Sequence, residues 1–362
     1  MKNKYYYHGS DIKKIAEKYG VDEKSLINFA ANVNPLGMSP LLKKELSSNI
    51  DIISSYPDRE YTDLKKAIST YTKSSMENVL IGNGTSELIS LFIRHINPTK
   101  AMIIGPTYSE YEHEVSLCGG KSYYFPLYEE DDFKLRTDLL IERLDKSMDI
   151  LIICNPNNPT SSCIDLVTMR RILDACKVTH TYVLVDETYI EFVNSMDAYT
   201  TVSLSEYYNN LIVLRSTSKF FATPGLRLGY AIVGDNSLIY DINRNSKPWM
   251  VNSYAAKAGE IMLTDTDYIE ESKELINTER DYVYNELLAI DGYKPYKPYA
   301  NFMLVKINKV GVTSNDVFET LIKKGLLIRD CSSFPFLTDE YVRFCFMGHA
   351  ENMKLVESVK NI

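Results

Sequence analysis

The chain has no cysteine pair at C-x-x-C spacing. Its six cysteines, Cys118, Cys154, Cys163, Cys176, Cys331 and Cys345, are scattered, and none of the five histidines stands at a metal-ligand distance from them. A zinc site and a disulfide framework are both unexpected, whereas reduced thiols in a cytoplasmic protein fit. There is no run of basic residues and the net charge is −8. That balance argues against a nucleic-acid groove or an anionic membrane surface as partner. No apolar run approaches the ~20 residues of a membrane span, and the first residues, Met1-Lys2-Asn3-Lys4 and three tyrosines, carry no apolar signal-peptide core. Internal repeats, low-complexity tracts and long Gly/Ser linkers are missing too. The sequence predicts a soluble, intracellular, metal-free globular protein.

Its 362 residues are enough for about two domains with substantial cores. A short helix is expected where Ile12, Ile15, Ala16 and Tyr19 share a face, with Ser10 or Asp11 to cap it and Gly20 to end it. An irregular segment, Asn28–Pro35, precedes helical patterns at Leu41–Ser48 and Tyr61–Tyr71. From Val79 to about Gly234 short apolar runs alternate with helix-length segments: Ala101–Ile104, Ile150–Ile153, Tyr182–Val185, Leu211–Leu214 and Tyr230–Val233. Continuous apolar runs suit strands buried on both faces, hence a mostly parallel α/β sheet. Beyond Pro248, helical patterns over Ala255–Thr264 and Tyr268–Ile290 lead to strands at Phe302–Ile307, Leu326–Arg329 and Tyr341–Cys345. The acidic stretch Glu129–Asp132 reads as a solvated loop. The expected division is an N-terminal arm (1–45), a large domain (46–254) and a smaller α+β domain (255–362).

Lys219 lies in Ser216-Thr217-Ser218-Lys219, and Arg227 follows in Gly225-Leu226-Arg227-Leu228-Gly229-Tyr230. A lysine amine forms a Schiff base with an aldehyde, while hydroxyls and a guanidinium hold a phosphate through charge-assisted hydrogen bonds. Pyridoxal 5'-phosphate carries both groups. Other candidates fall after predicted strands, where open α/β sheets place their ligands. Asp186 would keep a pyridine nitrogen protonated, making the ring an electron sink. Asn158 and Tyr189 would bond the ring hydroxyl, and Tyr108 would stack on the ring. Gly84, Thr85 and Ser86 form a glycine-rich turn into an apolar helix, a cradle for phosphate.

Asn158-Pro159-Thr160, Asp186-Glu187-Thr188-Tyr189, Ser216–Lys219 and Gly225–Tyr230 together resemble the signature of the aspartate-aminotransferase superfamily of pyridoxal-phosphate enzymes, fold type I. The resemblance spans essentially the whole chain. It implies Lys219 as the Schiff-base lysine, Asp186 as the pyridinium partner, and Gly84, Thr85, Ser86, Ser216, Ser218 and Arg227 around the cofactor phosphate. It also implies a homodimer with shared active sites, in which Tyr56 reaches the neighbouring subunit's phosphate. Ser161 departs from the usual N-P-T-G string and reads as a changed turn residue.

His8-Gly9, the Phe29–Gly37 stretch with Asn32, Pro248-Trp249-Met250-Val251-Asn252, Leu327–Cys331 and Tyr341-Val342-Arg343 resemble threonine-phosphate decarboxylases of cobalamin synthesis. That likeness implies decarboxylation of L-threonine O-3-phosphate to (R)-1-amino-2-propanol phosphate. Arg343 would hold the carboxylate, and Arg329, His8 and Gly9 the substrate phosphate, near a helix N-terminus that favours anions. Departures are Ser10-Asp11 for the usual Gly-Asn, and Met347 where a second arginine is common. His349 reads as a surface histidine. The alternative is an aminotransferase acting on histidinol phosphate or a related phosphorylated amine, with 2-oxoglutarate.

Overall fold

A computed structural model describes residues 11–362. In chain order its strands are β1 (Ile27–Asn28), β2 (Val79–Gly82), β3 (Lys100–Gly105), β4 (Lys121–Pro126), β5 (Ile150–Cys154), β6 (Tyr182–Asp186), β7 (Leu211–Ser216), β8 (Gly229–Val233), β9 (Tyr293–Pro295), β10 (Phe302–Ile307), β11 (Leu326–Leu327), β12 (Arg329–Asp330) and β13 (Tyr341–Cys345). Strands β2 to β8 form a seven-stranded sheet in the order β2-β8-β7-β6-β5-β3-β4. All pairings from β7 across to β4 are parallel; β8 alone runs against both of its neighbours.

The expected α/β fold is the one present. Every residue of β5 and β7 is buried, and alternate residues serve opposite faces. Leu151, Ile153, Val183, Val185, Leu211 and Val213 enter one apolar cluster; Ile150, Ile152, Leu184, Ile212 and Leu214 enter the other. This two-sided burial requires helices on both faces, and it is why these strands read as unbroken apolar runs.

Beyond helix Ser253–Met262 and the 23-residue helix Thr266–Leu288, an antiparallel sheet forms in the order β12-β13-β10-β9. The run Leu326–Arg329, expected as one strand, divides. Leu326 and Leu327 pair in parallel with Ile27 and Asn28 as a separate ladder, and Arg329 then turns onto β13. The start of the segment expected to be irregular therefore contains a strand. Asp11 stands at the cap position of helix Ile12–Tyr19 but accepts no capping bond. Glu129 corrects the solvated-loop expectation: it accepts hydrogen bonds from Tyr296, Tyr341 and Lys306 at 3.0, 2.9 and 2.8 Å. No helix among the described residues is long and apolar enough to cross a membrane.

One buried ionic cluster joins the carboxyl ends of β6 and β7. Arg215 donates from Nε to Glu187 at 2.8 Å, from Nη1 to Glu191 at 2.7 Å and from Nη2 to the Thr200 hydroxyl at 2.8 Å. Arg215 is 2% exposed and the two glutamates 0% and 1%. Removing one partner of such a group leaves charge stranded away from water. Arg215→Met is therefore expected to destabilise the fold by about 3–5 kcal/mol, read as a lower urea midpoint. A wild-type midpoint would show that the cluster contributes nothing net.

Candidate active site

The parallel strands deliver the predicted residues to one edge of the sheet. Asp186 is the last residue of β6 and Ser216 the last of β7, with Lys219 just beyond. β5 ends at Cys154 and opens into the loop that carries Asn158. On the far side, β2 leads through Gly84 into helix Thr85–Ile96.

Lys219 points its amine at the Ala31 carbonyl, 2.7 Å away. Burial pulls its pKa down to about 8, and the positive charges of Arg343 and Arg227 push the same way. Near physiological pH such an amine holds a far larger neutral fraction than an ordinary lysine, as a nucleophile or proton carrier requires. Asp186 accepts from the Tyr111 hydroxyl at 2.7 Å and from the Thr188 backbone and hydroxyl at 3.0 and 2.6 Å. Burial nonetheless raises its pKa, and none of the leading influences on it is a cation. Tyr111 escaped the sequence reading. It stands 75 residues before its partner, and its only local signal is one more tyrosine in Pro106-Thr107-Tyr108-Ser109-Glu110-Tyr111.

Gly84, at φ 86°, lies so close to Arg227 that a Cβ there would come 2.5 Å from Nη2. Gly229 is equally constrained, because a Cβ would fall 2.7 Å from the Thr85 nitrogen. Two glycines thus bring β8 and Arg227 against the N-terminus of the Thr85–Ile96 helix. The Ser216 and Ser218 hydroxyls lie 2.7 Å apart. Tyr108 stands edge-on to Tyr111 at 5.7 Å, beside the Ser86 hydroxyl and near Arg227 and Asp186. A shaped cradle of hydroxyls, guanidinium and helix N–H groups at one end, a low-pKa amine, and a buried carboxylate without a cation fit the phosphate, aldehyde and ring nitrogen of pyridoxal phosphate.

Opposite this cradle, Arg343 is 6% exposed. Its Nη1 donates to Asn158 Oδ1 and its Nη2 to the Ala30 carbonyl at 2.8 Å, and its guanidinium lies 5.4 Å over the Phe302 ring. Its Nε and both side-chain polar atoms of buried Asn32 have no partner of normal hydrogen-bond geometry. Tyr189 packs edge-on against Phe302 at 4.9 Å, next to Asn32 and Arg343. Arg329 sits directly across from Arg343 in the β12–β13 ladder and donates to the Ser333 hydroxyl at 2.8 Å. Tyr56 lies on the surface, 77% exposed, its ring 4.6 Å from Trp249. His349 is held 3.0 Å from Glu279. His8 and Gly9 fall outside the described residues.

The profile of the family described as "Aminotransferase class I and II" matches residues 24–359. A protein of Caldanaerobacter subterraneus subsp. tengcongensis, provisionally named a threonine-phosphate decarboxylase, is 37% identical over 92% of this chain and 89% of its own length. The threonine-phosphate decarboxylase of Salmonella typhimurium is 31% identical over 98% of this chain and 96% of its own. Among solved structures, the histidinol-phosphate aminotransferase of Clostridium acetobutylicum superposes with a TM-score of 0.86 at 31% identity, covering 92% of this chain and 98% of that one. A lysine, an aspartate and a phosphate cradle on a mostly parallel sheet, in a chain matched from end to end, carry one conclusion: this protein belongs to the class I and II aminotransferase family of fold type I, whose members are enzymes dependent on pyridoxal 5'-phosphate.

Proposed function

We propose that the enzyme decarboxylates L-threonine O-3-phosphate to (R)-1-amino-2-propanol phosphate, working as a homodimer in which Tyr56 completes the partner's phosphate cradle. The observation that carries this reading is the pair of cross-strand arginines, Arg343 and Arg329, beside Asn158 and Asn32. Residues directly opposite in an antiparallel ladder share a face, so two cations look toward the same space. One substrate bearing both a carboxylate and a phosphate engages both together. Histidinol phosphate has no carboxylate. An aminotransferase would need its oxo-acid partner to occupy Arg343 in a separate half-reaction.

Bound pyridoxal phosphate supplies an electron sink for the pair released when a bond at the substrate Cα breaks. The chain's own groups do the rest. Gly84, Thr85, Ser86, Ser216, Ser218 and Arg227 would hold its phosphate, and Asp186 its ring nitrogen. Tyr108 would cover the ring, while Asn158 and Tyr189 would bond its hydroxyl. Arg343 anchors the carboxylate as a planar fork, and Arg329, with His8 and Gly9, takes the substrate phosphate. Lys219 delivers a proton to Cα as carbon dioxide leaves.

Since Lys219 condenses only as the free amine, the rate of cofactor reconstitution is expected to climb with pH and level off above about 8. Arg343→Ala removes a positive charge that depresses this pKa, so its plateau moves to higher pH. A pH-independent rate in the wild-type protein would contradict the depressed lysine.

The decisive assay incubates reconstituted enzyme with L-threonine O-3-phosphate and no oxo acid, and measures released carbon dioxide. Sustained turnover is the expected result. Absence of gas, with keto product formed from histidinol phosphate and 2-oxoglutarate, assigns the aminotransferase reaction instead.

A further inference from the structure

The loop carrying Asn158 ends on Ser161, which is fully buried and holds φ at 59°. This left-handed backbone is unfavourable for any residue with a Cβ, so a serine here needs compensating contacts. It has several. Its hydroxyl accepts from the backbone N–H of Ala300 at 2.9 Å and of Tyr299 at 3.1 Å. Its carbonyl also accepts from Tyr299 at 3.0 Å, and its own N–H donates to the Asn157 carbonyl at 2.7 Å. Tyr299 thus has two acceptors in Ser161, whereas buried Ala300 depends on the hydroxyl. A glycine at this position satisfies the backbone angle but offers Ala300 nothing.

What Ser161 joins gives the contact its meaning. Three residues upstream, Asn158 accepts from Arg343 Nη1. Just downstream of Ala300, Asn301 donates to the Asn32 carbonyl at 3.0 Å, and Phe302 lies under the Arg343 guanidinium. Two of the groups that hold Arg343, Asn158 in the loop beyond β5 and Phe302 in β10, are therefore tied together through Ser161. We propose that Ser161 is a positioning residue for the carboxylate site, fixing the separation between Asn158 and Phe302 and so the aim of Arg343. This rests on Arg343 being the carboxylate anchor. The substitution that reads in sequence as a neutral turn change acts, in this chain, on substrate recognition.

The test compares two ligands on the cofactor-loaded enzyme: L-threonine O-3-phosphate, and 1-amino-2-propanol phosphate, which lacks the carboxylate. Ser161→Ala keeps the Cβ and removes the acceptor. Hydrogen exchange at the Ala300 amide is expected to accelerate about tenfold or more, as loss of a buried hydrogen bond implies. The KM for threonine phosphate rises about tenfold, in line with a misaimed anchor, while the Kd for aminopropanol phosphate stays within about twofold. Ser161→Gly, with a relaxed backbone and the same missing acceptor, shows the same loss of carboxylate discrimination even if the alanine variant folds poorly. Equal weakening of both ligands, or unchanged discrimination despite faster exchange, overturns the proposal. Arg343→Ala separates the two claims. If it retains discrimination, the anchor reading fails; if it loses discrimination while Ser161→Ala keeps it, only the role of Ser161 fails.

Discussion

Four consecutive carbonyls, Phe29 to Asn32, hold the active site together. They accept in turn from the Cys345 backbone, Arg343 Nη2, Lys219 Nζ and Asn301 Nδ2, at 2.8, 2.8, 2.7 and 3.0 Å. The strap then returns, with Asn34 donating its backbone N–H to the Lys219 carbonyl and its side chain to Phe220 and Ser272. Such a segment has no regular ladder of its own, yet buried carbonyls must find donors. Here the donors are the residues of the site. The strap sets how far the antiparallel sheet lies from the lysine, so the Arg343 guanidinium and the Lys219 amine share one reference frame.

Beneath that strap the sheet supplies stiffness of another kind. Asp186 and Ser216 occupy the carboxyl ends of neighbouring parallel strands, where backbone pairing stops and loops begin. Arg215 bridges Glu187 and Glu191 at that boundary. Two carboxylates facing one guanidinium are acceptable only because hydroxyls and backbone N–H groups share the load: Thr200 and Thr201 also donate to Glu187. Loops that would otherwise fray begin from a fixed position. Asp186 benefits directly, since its orientation decides whether its carboxylate meets a ring nitrogen.

The parallel sheet was legible because β5, β6 and β7 are buried on both faces and read as unbroken apolar runs. The candidate cofactor residues meet at one sheet edge because Lys219, Asp186 and Asn158 each follow such a run. Contacts between distant positions were not legible. Tyr111 pairs with Asp186, Ser161 with Ala300, and Arg215 with Glu187 through separations that no local pattern encodes. The run Leu326–Arg329 misled for a related reason: its apolar character is uniform, and only the partner strands, Ile27–Asn28 on one side and β13 on the other, determine where it divides. Glu129 misled through its acidic neighbours, although three donors from β9, β10 and β13 or their flanks converge on it.

Arg329 and Arg343 face one another across β12 and β13, an arrangement that costs stability where like charges stand directly opposite. Burial and the charge of Arg343 both lower the Arg329 pKa, which means the folded site disfavours its own charge. A protein that needed only a packed sheet edge would be better served there by apolar side chains. Two like charges held on one face are best balanced by two negative groups at fixed separation. Such a pair discriminates by charge placement: a ligand with a single anion offsets one guanidinium and leaves the other to its protein partners, for Arg329 the Ser333 hydroxyl and the carboxylates of Asp330 and Asp11. The proposed preference for a doubly anionic amine rests on the ladder register, because it is the register that keeps the two arginines on one face.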